Sequence, residues 1–458
     1  MTDKQDWRGK KVTVIGFAIE GEDMARYFAR HGATVTVSAL RVPEAHVPSM
    51  RELSAQGVSF RVGVNDPADV AGADLVCVSQ SVPLDNPAVV AARARDAPVA
   101  SMTGLFLDLY PGPVVGITGS SGKTTTTPLV DAVFAAAGRW RVLGGNIGVG
   151  LMSLLEDARA ERWAVLEVSH TQLQLTRRSP HVAALLNVTP NHLDQFSWEE
   201  YVDLKRRVFA FQTPADAAVF NADDRVCRDF RAEAPGRVFL FSVAGDPGGD
   251  GAFLHDAAIF WRRDGQTERV IAAAEVPLRG FHNVANATAA TAIAAACEIG
   301  PEAVAEAVRA FRPPEHRLEL VAGVGGVDYY NDSIATAPER TLAALRSFEE
   351  PVVLLLGGRD KKLPLDEMLG VAADRCRAIV CFGESGPMLA RAAKSTGLPI
   401  DRVATLAEAF DAAVARARPG DVVVLSPACT SFDAYDSFEQ RGVEFRELVA
   451  QLQERTPP

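Results

Sequence analysis

Apolar residues recur along the chain in short β-branched runs, each followed by a stretch with helical spacing. The first run is Lys11 to Ile15 (KVTVI), followed by Gly16, a helix-like MARYFARHG and a second strand, VTVS, at 35–38. This alternation predicts a β-α-β unit and a parallel sheet, an arrangement that binds ligands beyond the carboxyl ends of its strands. Another strand, DLVCVS, ends at Ser79 before the proline-containing loop QSVPLDNP at the same sheet edge. GFAIEG lacks the compact G-x-G-x-x-G spacing, so a purely structural unit and a nucleotide-binding one fit this segment equally well.

Two breaks divide the chain. Leu109-Tyr110-Pro111-Gly112-Pro113 precedes a strand, VVGIT, that runs into GSSGKTTTT, and FRPPEHR at 311–317 follows an alanine-rich stretch from Asn283 to Phe311 that reads as helical. Between the breaks, WAVLEV (163–168) and VAALLNV (182–188) are continuous apolar runs, as expected of strands covered on both faces. After the second break, PVVLLLGG, AIVCFG and DVVVLS predict a third, smaller α/β domain. A chain of 458 residues is too long for one core and suggests about three domains of roughly 150 residues. The expected fold class is therefore α/β in three domains: a Rossmann-like domain over 1–110, a central P-loop domain with a mostly parallel sheet over 111–314, and a Rossmann-like domain over 315–458.

Composition narrows the function. With 48% hydrophobic and 23% charged residues the chain is ordinary globular protein, and a net charge of -11 excludes a polyanion-binding surface as its main feature. Nucleic acid is not an expected partner. Lys205-Arg206-Arg207 is a short basic cluster on a predicted helix, which reads first as a solvated face. The six cysteines are scattered without a C-x-x-C pair and are expected to be reduced core residues. The polar start has no signal-peptide pattern, and no apolar run approaches the roughly 18 residues a membrane helix needs. The expectation is a cytoplasmic enzyme without membrane insertion, acting as a monomer.

Thr118-Gly119-Ser120-Ser121-Gly122-Lys123-Thr124 carries the most specific chemistry, because it lies directly between a strand pattern and a helix pattern. Glycines let several backbone N–H groups face an anion, the lysine adds a point charge, and the hydroxyl after it suits Mg²⁺. The general pattern places its first glycine at 117; here Ile117 stands there and the glycine is at 116. Glu167 ends a predicted strand and His192 follows another, positions from which an open sheet presents metal-binding or base side chains beside a phosphate loop. Taken singly, each could be a cap or turn residue.

TGSSGKTTT, GGNIGVG, LEVSHTQL, NVTPNHLDQF, NADD, RGFHNVANATAA, EHRLE, NDSIATAPE, LLLGGRDKK and LSPACTSFDAYDSFEQRG together resemble the Mur ligase family, in order and over nearly the whole chain. The resemblance implies a UDP-binding domain, an ATPase domain and a C-terminal domain that binds the incoming amino acid. It implies ATP as co-substrate, Mg²⁺, and UDP-N-acetylmuramoyl-L-alanine and D-glutamate as partners. ATP would phosphorylate the free carboxylate, and the amine would attack the acyl phosphate, whose leaving group makes an otherwise unreactive pair react.

Carried over by position, Gly119, Ser120, Ser121, Gly122, Lys123, Thr124 and Thr125 would hold ATP phosphates, with Thr124, Glu167, His192 and Lys205 at the metal sites. Lys205 matches a lysine that the family carries as a CO₂-derived carbamate; an exposed helical lysine is the competing reading. Asn283, Asn286, Arg317 and Asp332 match nucleotide contacts, Arg41 a UDP contact, and Asn146 and Ser169 contacts on the acceptor side of the cleft. Thr336, Lys361, Ser431, Phe432 and Phe438 match the glutamate site. The chain departs from the family at Ala39, Gln80-Ser81, His170-Thr171, Asn191 and Ile334. Two other readings fit the phosphate loop: a folylpolyglutamate synthase-like ligase, and a nucleotide-hydrolysing switch protein. The N-terminal β-α-β domain and SPACTSFD…FEQRG argue against the first. Phosphate release in the absence of both acceptors would mark the second.

Overall fold

The computed structural model describes residues 6–147, 150–190, 195–278, 280–312 and 315–456. Three α/β domains are each built on their own sheet. The first sheet contains β1 (Lys11–Ile15), β2 (Thr34–Ala39), β3 (Ser59–Val62), β4 (Leu75–Val78) and β5 (Val99–Ser101), all parallel, in the order β3-β2-β1-β4-β5. Strand order reverses at β1, so the loops after β1 and β4 face one another across the crevice where such sheets bind ligands.

The second sheet contains β6 (Val114–Thr118), β7 (Arg141–Gly145), β8 (Trp163–Glu167), β9 (Val182–Leu185), β10 (Ala217–Asn221), β11 (Arg237–Ser242), β12 (Gly251–His255), β13 (Ala258–Arg263) and β14 (Gln266–Ala272). Its order is β14-β13-β12-β11-β10-β9-β6-β8-β7, parallel from β7 to β12 and antiparallel from β12 to β14. β6 lies between β8 and β9 and is buried throughout. Gly116 belongs to this strand and not to the phosphate loop: a Cβ there would lie 2.3 Å from Pro180 Cγ, so packing of the proline demands the glycine.

The third sheet contains β15 (Glu319–Val324), β16 (Val327–Asn331), β17 (Val352–Gly357), β18 (Cys376–Phe382), β19 (Ile400–Arg402) and β20 (Val422–Ala428). Its order is β15-β16-β20-β17-β18-β19, with only the β15–β16 pair antiparallel.

The chain divides into two compact units, Met1–Val276 with Val284–Phe311, and Pro277–Asn283 with Arg312–Pro458. The first unit holds two sheets because one apolar cluster runs from Trp7 and Phe28 through Phe106 to Leu166 and Phe220. The Met102–Leu109 helix buries nearly all of its side chains in that cluster, and the break after it is pinned by Tyr110 Oη donating to the Arg162 carbonyl at 3.0 Å.

The alanine-rich stretch is helical as expected, in two pieces: Phe281–Ala296, after which Glu298 takes φ 58°, and Pro301–Ala310, whose first turn Pro301 supplies. One expectation is corrected. The strand expected over 182–188 stops at Leu185, after which Asn187 turns away to serve the phosphate loop. All six cysteines are free and buried, and no described helix is long and apolar enough to cross a membrane.

In the second unit a fully buried arginine ties the strand ends together. Arg441, in the Phe438–Arg455 helix, donates from Nε to Ser333 Oγ at 2.9 Å and from Nη2 to the Ser333 carbonyl at 2.8 Å. Its Nη1 reaches the carbonyls of Gly357 and Cys429 at 3.3 and 3.2 Å. Burial lowers its pKa to about 10, and no described carboxylate is hydrogen-bonded to it. Arg441→Met, which keeps much of the volume but strands these acceptors, is expected to destabilise the second unit by roughly 2–4 kcal/mol. Hydrogen exchange over 315–456 at increasing denaturant measures it; an unchanged exchange profile would contradict the account.

Candidate active site

The tips of β6, β7 and β8 meet in register, with Glu167 paired to Ile117 on one side and Gly145 on the other. Residues that follow these tips are therefore placed together by the sheet itself. After β6 the chain turns through Gly119 to Gly122, and the Lys123–Ala136 helix begins with Gly122 at φ 85°, a conformation suited to glycine. A Cβ at Gly122 would also meet Asn286 Oδ1 at 2.6 Å, and Thr126 Oγ1 donates to that same oxygen at 3.3 Å. Asn286 thus packs against the start of the phosphate-loop helix.

The loop is held open by a residue the sequence did not single out. Asn187 accepts the Ser120 N–H on its carbonyl at 3.0 Å and the Ser121 N–H on Oδ1 at 2.8 Å, while its Nδ2 donates to the Ser121 carbonyl at 3.2 Å. Its position just beyond a buried strand, inside NVTPNHLD, was the available signal. Ser120 Oγ donates to the Thr189 carbonyl at 3.0 Å and lies 3.1 Å from Tyr201 Oη.

Lys205 is not a surface lysine. It is 1% exposed, and its Nζ donates to Thr118 Oγ1 at 3.1 Å and to the Gly119 carbonyl at 3.0 Å. The same carbonyl accepts from Lys123 Nζ at 2.7 Å, so two lysines converge on one oxygen of the loop. Burial first, and then the Lys123 ammonium, hold the Lys205 amine well below the usual lysine value, with Glu167 pulling the other way. The three basic neighbours part company here. Arg206 pairs at the surface with Glu233 at 2.6 Å, while Arg207 donates to the carbonyls of Leu173 and Thr176 at 2.9 and 2.6 Å and fixes the helix that turns Lys205 inward.

Glu167 is 2% exposed. Its Oε1 accepts from Asn146 Nδ2 at 3.0 Å, and its Oε2 is buried without a hydrogen-bond partner among the described residues. A stranded carboxylate oxygen is costly in a protein interior, and a hard divalent cation would satisfy it. The donor set fits Mg²⁺: Glu167, the Thr124 hydroxyl at the helix start, and phosphate oxygens. Among the described residues no group of three His, Cys, Asp or Glu side chains could hold a metal ion. His192 and Asn191 lie outside the described residues. Ser169 caps the His170–Leu173 helix two residues after Glu167, and its Oγ lies 2.9 Å from Thr171 Oγ1. Thr125 is buried in the phosphate-loop helix, and Arg41 is exposed beyond β2.

In the second unit, Lys361 Nζ donates to Thr336 Oγ1 at 3.3 Å, so these two expected glutamate contacts do meet. Ser431 is buried, its carbonyl accepting from the N–H groups of Ala434 and Tyr435 at 3.1 and 2.9 Å, while Phe432 is exposed. The Phe438 ring sits 6.4 Å from that of His316, and its carbonyl accepts from Ser333 Oγ at 2.8 Å. Asp332 is buried, accepting from Ser426 Oγ at 2.7 Å and the Leu318 N–H at 3.1 Å. Arg317 and Asn283 lie in the same unit.

These features define an α/β protein with a phosphate-binding loop, built to hold a nucleotide and a divalent cation at one end of a mostly parallel sheet. Models of known families match all three domains: the Mur ligase MurD-like N-terminal domain at residues 10–101, the Mur ligase middle domain at 117–294, and the Mur ligase glutamate ligase domain at 316–429. The UDP-N-acetylmuramoylalanine–D-glutamate ligase of Symbiobacterium thermophilum is 42% identical over 447 residues, 97% of this chain and 98% of that protein. Its counterpart in Acidobacterium capsulatum is 40% identical over 96% of each chain. In structure the chain is similar to the UDP-N-acetylmuramate-alanine ligase MurC of Thermotoga maritima, at a TM-score of 0.59 and 20% identity, over 96% of this chain and 99% of that one. The chain belongs to the Mur ligase family.

Asp332 makes stability depend on pH. Burial raises its pKa to about 7, against about 3.9 for an unfolded aspartate. The folded state therefore holds a proton that the unfolded chain releases, so this group's contribution is greatest below about pH 4 and is lost as pH rises toward 7. Asp332→Asn should remove that slope, and the variant should gain on the parent as pH goes from about 4 to 7. Denaturation midpoints of the second unit at several pH values test this; parallel curves would contradict it.

Proposed function

We propose that the protein is an ATP-dependent ligase, forming ADP, that adds D-glutamate to UDP-N-acetylmuramoyl-L-alanine in peptidoglycan precursor synthesis, in the cytoplasm. The observation that carries this reading is the convergence of Lys123 and Lys205 on the Gly119 carbonyl beside the unsatisfied oxygen of Glu167. It supports transfer of a phosphoryl group next to a second substrate. The domains are taken as 1–110 for the UDP-linked acceptor, 111–314 for ATP and 315–458 for glutamate.

In this mechanism the backbone N–H groups of Gly119 to Thr125 and the Lys123 ammonium hold the ATP phosphates. Asn283, Asn286, Arg317 and Asp332 hold the rest of the nucleotide. The acceptor carboxylate, positioned by Asn146 and Ser169, attacks the γ-phosphorus; the new O–P bond forms as the bond to the β–γ bridging oxygen breaks and ADP leaves. The glutamate amine, held through Thr336, Lys361, Ser431, Phe432 and Phe438, then adds to the acyl carbon. Phosphate leaves with the electron pair of the broken C–O bond, and the amine proton passes to solvent. Arg41 contacts the UDP part. Thr124, Glu167 and His192 would hold Mg²⁺, which when bound neutralises charge on the phosphates.

Lys205 completes the site as a carbamate. A cationic lysine cannot ligate a metal, whereas a neutral amine reacts with CO₂ to give an N–COO⁻ group and one released proton. Complete burial beside a second ammonium favours the neutral amine, and the carbamate supplies two hard oxygen ligands in the same place.

The activity is tested by phosphate release from ATP with each acceptor alone and with both. Release requiring UDP-N-acetylmuramoyl-L-alanine and D-glutamate together is expected, and release without them would identify a hydrolytic switch. Lys205→Ala is expected to lose most activity, on the order of a hundredfold or more, with partial recovery on adding short-chain carboxylates. Full activity of that variant in CO₂-free buffer would exclude the carbamate.

A further inference from the structure

Glu20 is a buried carboxylate in the first turn of the Ile19–Arg30 helix, 7% exposed, whose hydrogen-bond partners among the described residues are two donors from different segments. The Gln80 backbone N–H, in the loop after β4, donates to Oε2 at 2.8 Å. Gln172 Nε2, in the His170–Leu173 helix after β8, donates to Oε1 at 3.0 Å. Gln172 cannot turn its amide round, because its Oε1 accepts the Ser169 N–H at 3.0 Å while its own N–H donates to Ser169 Oγ at 3.2 Å. Gln80 closes the ring from the other side: its Oε1 accepts from Ser169 Oγ at 3.3 Å and from Thr171 Oγ1 at 3.4 Å.

One carboxylate therefore holds the loop at the tip of the first sheet against the segment that follows Glu167 in the second. A carboxylate taken out of water is costly, and among the described residues the hydrogen bonds it gains come from the Gln80 N–H and the Gln172 amide. Burial raises its pKa, and both donors oppose that rise. The two segments it joins are those that the proposed function gives to the acceptor: Ser169 directly, and the ligand-binding crevice of the first sheet through Gln80.

Resting on that function, we propose that Glu20 is a positioning residue for the UDP-linked acceptor. Through Gln172 and Gln80 it sets where the acceptor carboxylate lies relative to Glu167 and the phosphate loop. It touches neither ATP nor the reacting atoms, so its loss should act on the acceptor and not on the nucleotide.

The donor and acceptor pattern permits an exchange test. Glu20→Gln presents an amide to two donors and leaves one opposed to another N–H. Gln172→Glu sets two carboxylates against each other. In the double variant Glu20→Gln/Gln172→Glu every hydrogen bond can re-form, with the introduced amide donating to the introduced carboxylate, accepting from Gln80 N–H, and the Ser169 N–H still paired.

Steady-state kinetics of the full chain should show KM for UDP-N-acetylmuramoyl-L-alanine raised about tenfold in each single variant and restored to within about threefold in the double variant. KM for ATP should stay within about twofold throughout. Amide hydrogen exchange over 79–83 and 168–173 should lose protection in the single variants and regain it in the double. Unchanged acceptor KM in Glu20→Gln would overturn the proposal even if exchange rose, since the contact would then be structural only. Equal loss in all three variants, or parallel rises in both KM values, would also overturn it. If the unaltered protein showed no acceptor-dependent turnover, the proposed function itself would fall, a result separate from any difference among the variants.

Discussion

The phosphate loop is organised around a lysine amine buried where, among the described residues, no carboxylate is hydrogen-bonded to it. Lys205 reaches the phosphate loop from a helix that starts at Trp198, and its Nζ is satisfied by one hydroxyl and one carbonyl of that loop. The same carbonyl already accepts from Lys123. Both amines stay on that oxygen because each is hydrogen-bonded there, while burial and the Lys123 charge push the Lys205 amine toward its neutral form; Arg207, next in the helix, is anchored to the Leu173 and Thr176 carbonyls. Two amines gathered at one loop suit a ligand of high negative charge.

Around this point the sheet does most of the positioning. Because Glu167 is in register with Ile117 and Gly145, its carboxylate lies beside the phosphate loop without any long side-chain reach. Asn146 N–H accordingly donates to the Glu167 carbonyl at 2.9 Å while Nδ2 takes one carboxylate oxygen, which leaves the other without a hydrogen-bond partner among the described residues. A Cβ at Gly145 would lie 2.1 Å from the Glu167 carbonyl, so this close approach depends on a glycine at φ 97°. Backbone geometry, and not flexible side chains, thus determines the spacing between the Glu167 carboxylate and the loop.

The second unit solves a similar problem with one side chain. The segments that end or follow β16, β17 and β20 are far apart in sequence, and Arg441 binds a carbonyl from each. Gly358 lies beside it, where a Cβ would meet the Thr430 carbonyl at 2.0 Å. Guanidinium suits this task because its donors are fixed in a plane and it stays charged where a lysine would lose its proton. In both units, then, basic side chains buried among carbonyls organise the loops at the strand ends.

Local sequence was sufficient for the elements whose signals are local. KVTVI, VVGIT, WAVLE and VVLLLG form the expected strands because β-branched and apolar runs bounded by turns have few alternatives, and Gly119 to Thr124 form a phosphate loop because strand, glycines and helix are adjacent in the chain. Where distant segments decide, the sequence was silent or misleading. Thr124 to Thr127 and Pro128 are poor helix formers, yet they lie in the Lys123–Ala136 helix because its first turns are buried against the sheet. The antiparallel strands β12, β13 and β14 have mixed polarity and went unrecognised. Lys205, Arg206 and Arg207 look alike in the chain, and only the packing of their helix turned one inward, one to solvent and one onto neighbouring carbonyls. Glu20 belongs to no motif in the sequence, because its link between Gln80 and Gln172 exists only once two sheets are brought together. The sequence by itself determined the class of chemistry, since phosphate-loop and strand-end motifs are contiguous; the tertiary structure alone decided which charged groups lose their water, because burial is a property of what the rest of the chain places around them.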